Sequence, residues 1–156
     1  MNLQRPNSVL LVRVPGALCG LNICDVIEIM RPLPTEPLAN TPGFILGIAM
    51  IRGAAVPVVR LGALFEAHGG GSPTRFVTIR VGERRVALAV EGVIGVANLG
   101  EHRFEEMAPL LKNARTDVIQ AIGTLDAELL VLLRASRLVP ESVWNTFERS
   151  AAAARQ

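Results

Sequence analysis

Tyrosine is absent from this 156-residue chain, tryptophan occurs once, and five phenylalanines bring the aromatic share to only 4%. That leaves no platform on which unstacked bases could lie, and nucleic acid is not an expected partner. Lysine is nearly missing as well, since fifteen of the sixteen basic residues are arginine. The net charge is only +2, and residues 79–156 carry ten basic against ten acidic groups, so no basic stripe or tail exists. The longest uncharged run, Pro37 to Ile51, is broken by two prolines, two glycines and Asn40, which excludes a membrane helix. Near the N-terminus the apolar run Val9 to Val12 is cut by Arg13 and Pro15, too short for a secretory core. A cytoplasmic protein without direct membrane insertion is expected.

Chemistry-bearing residues are equally sparse. Two cysteines, Cys19 and Cys24, and two histidines, His68 and His102, are all the chain contains. The cysteines are far from the histidines, so no metal site is expected, and both thiols are read as buried and reduced. Neither histidine lies by a nucleophile in a strained turn, and the adjacent Glu105 and Glu106 would diverge on a helix. Gly69 to Gly71 lack the Lys-Ser or Lys-Thr pair of a phosphate loop and read as a connection. No cofactor is implied, and a binding module is favoured over an enzyme.

Half of the residues are hydrophobic, enough at this length for a sizeable core without disulfides or metal. Turn residues recur every eight to twelve positions, from Pro15-Gly16 to Leu125-Asp126, which points to many short strands. The runs between them are Val9–Val14, Leu18–Ile23, Ile45–Ile51, Ala55–Val59, Phe76–Val81, Val86–Val90, Val93–Ala97, Val118–Thr124 and Leu129–Leu133. In Phe76–Val81 the residues Val77, Ile79 and Val81 share one face and Thr78 and Arg80 the other, as in a strand covering a core from outside. Val86–Val90 and Leu129–Leu133 are apolar throughout and should be buried on both faces. An all-β architecture with two adjoining cores follows.

Helix is expected only in short pieces. Asp25 is placed to cap a turn or two through Val26, Ile27, Glu28 and Ile29, stopped by Pro32. Arg60 to Ala67 and Ala135 to Leu138 each suit one or two turns. A last helix begins near Pro140 with Glu141 at its positive end, packs Val143, Trp144 and Phe147 inward, and frays beyond Arg149. No internal repeat is visible in the sequence.

One stretch is more specific than any composition. Leu38-Ala39-Asn40-Thr41-Pro42-Gly43-Phe44-Ile45-Leu46-Gly47-Ile48-Ala49-Met50-Ile51-Arg52-Gly53, continuing through Val56-Pro57-Val58-Val59 to Leu61 and Phe65, resembles the signature of the CheW family of chemotaxis adaptors. Upstream, Val26-Ile27-Glu28-Ile29 matches the family's Val-x-Glu-Ile element, and downstream Val90-Glu91-Gly92-Val93 matches its Val-Asp-x-Val element. The resemblance covers about residues 8–140. Three positions depart from it: Arg60 stands for an Asp, Gly62 for an Arg, and Glu91 for a shorter Asp.

The resemblance implies two intertwined five-stranded SH3-like β-barrels, the first strand completing the second barrel, in a single domain over 8–140 followed by a C-terminal helix and tail over 140–156. It implies a non-catalytic adaptor that couples the cytoplasmic tips of methyl-accepting chemoreceptors to the regulatory domain of a CheA-type histidine kinase, at membrane-associated receptor arrays. Receptor-binding candidates are Val26, Glu28, Ile29, Gly47, Arg52 and Gly53; no residue is assigned to kinase binding. Glu28 and Arg52 are further expected to form a partly buried ion pair fixing the turn beside the receptor groove. Breaking it would cost roughly 3–5 kcal/mol if deeply buried and under about 1 kcal/mol if exposed. Gly53 is expected to need positive φ or close approach of a partner. Two other readings stand beside this one: a divergent adaptor of a pilus-type pathway, motivated by Arg60, and a small-ligand-sensing β-barrel module.

Overall fold

The computed structural model describes residues 8–65, 72–100 and 116–154. His68, Gly69 to Gly71, His102, Glu105 and Glu106 lie outside them. The described residues form ten strands: β1 (Ser8–Val14), β2 (Ala17–Asn22), β3 (Val26–Met30), β4 (Ile45–Ile51), β5 (Ala54–Arg60), β6 (Arg75–Val81), β7 (Arg84–Val90), β8 (Gly92–Asn98), β9 (Ile119–Leu125) and β10 (Glu128–Leu133). Among the described residues one α-helix, α1 (Glu141–Ala154), follows. The strands form two five-stranded sheets, sheet I in the order β8-β1-β2-β10-β9 and sheet II in the order β3-β6-β7-β5-β4. Both β1 and β2 complete the sheet of the later strands, so the two halves of the chain interlock.

The sheets repeat one another. Taking sheet I in the cyclic order β8, β9, β10, β1, β2 and sheet II as β3 to β7, both run first, fourth, fifth, third, second in space. In each, the third and fifth strands pair in parallel, β10 with β2 and β5 with β7. In each, the second and third strands join through a two-residue turn with both φ positive, Asp126-Ala127 and Arg52-Gly53. That is the type I′ geometry whose twist suits a hairpin. Each first strand also carries a bulge, and the residue it leaves unpaired is an exposed isoleucine, Ile27 or Ile94. The repeat lives in backbone geometry and chain order, and for that reason the sequence does not display it.

Among the described residues three hydrophobic clusters hold the sheets. The largest joins both of them and takes in Leu10, Val12, Ile79, Leu88, Val131 and Trp144. A smaller one lies within sheet I around Val9, Leu11, Leu130 and Leu132, and another within sheet II around Val56, Val58, Phe76 and Ala87. Thus β7 and β10 are buried on both faces, since Val86 and Leu88 enter the shared core while Ala87 and Ala89 enter the core of sheet II. The same holds for β6, against expectation. Phe76, Val77, Thr78 and Ile79 are all buried, because the inner core of sheet II receives the face that alternation alone assigns to solvent.

Helical pieces also differ from expectation. Asn22, not Asp25, is the capping residue, its Oδ1 accepting from Cys24 N–H at 3.0 Å over a 3₁₀ turn, Ile23–Asp25. Val26–Met30 is then a strand paired with β6, as its β-branched residues favour. Leu61–Phe65 and Ala135–Arg137 are short 3₁₀ turns. Helix α1 continues past Arg149 to Ala154, consistent with the high helix propensity of alanine. Of the cysteines, Cys19 is buried, where desolvation pushes its thiol pKa up, but Cys24 is exposed on the 3₁₀ turn.

Candidate interaction surface

The motif residues lie on the two end strands of sheet II and on the turn after β4. Strand β3 is an end strand, with Val26, Glu28 and Met30 half-buried and Ile27 and Ile29 exposed. Across the sheet, β4 is the other end strand and presents Met50, which is 63% exposed, just before the Arg52-Gly53 turn. Arg52 Nε lies 3.3 Å from both carboxylate oxygens of Glu28, and its Nη2 lies 3.3 Å from Oε1. Strand β3 and the β4–β5 turn are thereby tied together, so the two ends of sheet II approach one another. The Arg52 side chain is 73% exposed and that of Glu28 28%, which puts the pair in the solvent-screened regime, where it contributes under about 1 kcal/mol.

Glu28 is held from behind by Thr78. Its N–H donates to Thr78 Oγ1 at 3.2 Å, and the Thr78 hydroxyl donates back to the Glu28 carbonyl at 3.3 Å. Thr78 is only 3% exposed, and these bonds satisfy its hydroxyl at the β3 bulge. Sequence reasoning missed Thr78 because it placed the residue on a solvent face.

Arg52 adopts φ of 53° and Gly53 of 79°. A Cβ on Gly53 would meet nothing within 4 Å, so backbone conformation and not crowding requires this glycine. Arg52 bears the left-handed strain of a non-glycine residue in a place from which its side chain reaches Glu28. Gly47 differs: it is buried, has φ of 139°, and a Cβ there would collide with the Glu36 carbonyl oxygen. That close approach lets Glu36 bond both ways to Ile48, at 2.8 and 2.7 Å, and lays the proline-rich segment before β4 along its edge. Gly47 thus supports the surface from beneath. Leu33 in that segment is 37% exposed and adds to the apolar edge, an addition the motif did not signal.

A model of the CheW-like domain family matches residues 8–143. The chain belongs to this family. Among its relatives, the chemotaxis protein CheW of Klebsiella aerogenes is 28% identical over 122 residues, 77% of this chain and 74% of that protein. The chemotaxis protein CheW of Rhizobium meliloti is 24% identical over 134 residues, 85% and 83% of the two chains. The crystal structure of the scaffolding protein TtCheW from Thermoanaerobacter tengcongensis superposes with a TM-score of 0.75 at 24% identity, covering 88% of this chain and 90% of that one. That likeness shows the fold. The interlocked five-stranded sheets and the C-terminal helix of this chain are therefore those of a CheW-like protein, with the SH3-like arrangement its motifs implied.

Proposed function

We propose that this protein is a non-catalytic chemotaxis adaptor that couples chemoreceptor cytoplasmic tips to the regulatory domain of a CheA-type histidine kinase, working in the cytoplasm at receptor arrays. The observation that carries the reading is that the two end strands of sheet II, joined by the Glu28–Arg52 pair within the matched family region, leave Ile27, Ile29 and Met50 exposed, with Leu33 exposed in the segment before β4. Exposed apolar side chains on strands joined by an ion pair offer a surface suited to the apolar face of a partner helix. Val26 and Gly47 shape this surface from the protein side, and Gly53 sets the turn that carries Arg52. No helix among the described residues is long and apolar enough to cross a membrane. Contact with the array through partners alone is compatible with modest pairwise affinities, because several simultaneous contacts raise effective concentration.

The test is a paired pull-down with a receptor cytoplasmic fragment, using Ile29→Lys and Met50→Lys beside the unaltered protein. Loss of receptor capture with an unchanged melting temperature supports the assignment. Full capture by both folded variants contradicts it.

A further inference from the structure

The three positions that depart from the family motif, Arg60, Gly62 and Glu91, come together in the structure. They line one cleft of about 10 Å³ where the β1–β2 turn of sheet I, carrying Pro15, meets sheet II. Glu91 Oε1 is buried there and accepts no hydrogen bond. The Glu91 backbone is fixed on both sides, its N–H donating to Arg13 O at 3.0 Å and its carbonyl accepting from Thr74 Oγ1. A buried carboxylate oxygen without a donor is costly, so a donor is expected close by.

Arg60 is the group in place to supply one. It pairs with Ala89 in the parallel β5–β7 ladder. Glu91 stands on the bend between β7 and β8, just past the end of that ladder, and the two long side chains line the same small cleft. Arg60 ends the face that carries Val58, Ala87 and Ala89 in the core of sheet II, while the Glu91 backbone is tied to Arg13 of sheet I. Arg60 is half-buried, and no described carboxylate pairs with its guanidinium. Position 62 has no room for such a cation. A Cβ at 62 would lie 2.8 Å from Pro15 Cδ, so an arginine there would displace the β1–β2 turn.

We propose that Arg60 and Glu91 form an inter-sheet ionic latch, in which Arg60 provides the cation that Gly62 and Pro15 exclude from position 62. The pair closes directly or through one water, for which the cleft has room. Arg60 is then an internal group whose charge is matched to Glu91, and an acid at position 60 would confront Glu91 instead of recruiting a different partner.

The experiment is a charge-exchange cycle on the full chain: Arg60→Glu, Glu91→Arg and the double variant, followed by thermal melting, with Arg60→Gln and Glu91→Gln as milder forms should a reversal fail to fold. Each single reversal is expected to lower the melting temperature by about 3–8 °C, and the exchanged double variant to recover at least half of that loss. Each Gln variant should lower it less, and their double variant should lose less than the sum of the two. Additive losses, or single variants that melt as the unaltered protein does, overturn the latch. Arg60→Asp is also titrated against the kinase regulatory domain. Tighter binding at an unchanged melting temperature makes Arg60 a partner-facing residue and overturns the proposal. The partner arm rests on the proposed adaptor role; if the unaltered protein binds no kinase domain, that role fails, while the melting cycle still decides the latch.

Discussion

Gly53 and Arg52 differ in what their positions demand, and substitution separates the two demands. Val at position 53 must adopt the left-handed conformation at a cost of about 1–2 kcal/mol, so Gly53→Val should lower the denaturant midpoint. Gly53→Asn should be tolerated, because asparagine visits that region more readily. Arg52→Gly removes both the strain and the exposed ion pair, and its stability should stay within about 1 kcal/mol of the unaltered protein while receptor capture falls. A double-mutant cycle on Glu28 and Arg52 should correspondingly give a coupling below about 1 kcal/mol in stability. At Gly47 the outcome is different. Gly47→Ala drives a methyl group into the Glu36 carbonyl and should cost at least about 2 kcal/mol, read as lost hydrogen-exchange protection of Ile48 N–H. The motif drew attention to all three positions from sequence, and positive φ was expected at Gly53 and is found there, but the reasons at Arg52 and Gly47 were not legible. Positive φ at residue 52 and the Glu36 approach are three-dimensional facts, and Thr78 was hidden because alternation cannot reveal a second core.

Elements were most legible where burial and pattern agree. The doubly buried β7 and β10 follow from unbroken apolar runs, and α1 from Pro140, Glu141 and the Val143, Trp144, Phe147 stripe. Strand β3 was not legible as a strand, because Asp25 before apolar residues resembles a helix start, whereas the cap is Asn22 and the residues that follow gain more by pairing with β6. The docking of α1 carries its own prediction. Arg84 lies 4.6 Å from the Trp144 ring centroid and pairs with Glu141 at 3.1 Å and Glu148 at 3.0 Å, bridging the start of β7 to the helix. Its hydrogen bond holds the Glu141 carboxyl pKa below the usual carboxylate range. A lowered carboxyl binds fewer protons in the folded state, so this contribution is present at neutral pH and disappears as pH falls through the lowered value. The single tryptophan reports on this contact, and its fluorescence should change at acid pH in the unaltered protein but not in Arg84→Met. Trp144→Ala, which empties a buried site in the shared core, should cost about 3–5 kcal/mol.

At the level of the whole molecule, the chain is one interlocked unit. Sheet I is built from its first two strands and its last three, and the shared core leaves neither sheet independent of the other. The all-β class could be read from turn spacing, and the interlocked arrangement from the resemblance of Val26–Ile29, Leu38–Gly53 and Val90–Val93 to the family's motifs. The duplicated topology could not, since it preserves hairpin geometry and bulges rather than residue identity. A protein assembled this way offers two equivalent edges with different chemistry: Ile27 and Ile29 beside the Glu28–Arg52 pair on β3, and Ile94 and Val96 on β8, where Gly95 replaces the acid. An adaptor needs such non-identical surfaces to hold unlike partners at once. The decisive measurement is a titration of the purified protein against a receptor cytoplasmic fragment and a CheA-type kinase regulatory domain, each alone and then together. The account predicts binding to each and a ternary complex in which neither displaces the other; a folded protein that binds neither, or whose two partners compete for one surface, would contradict it.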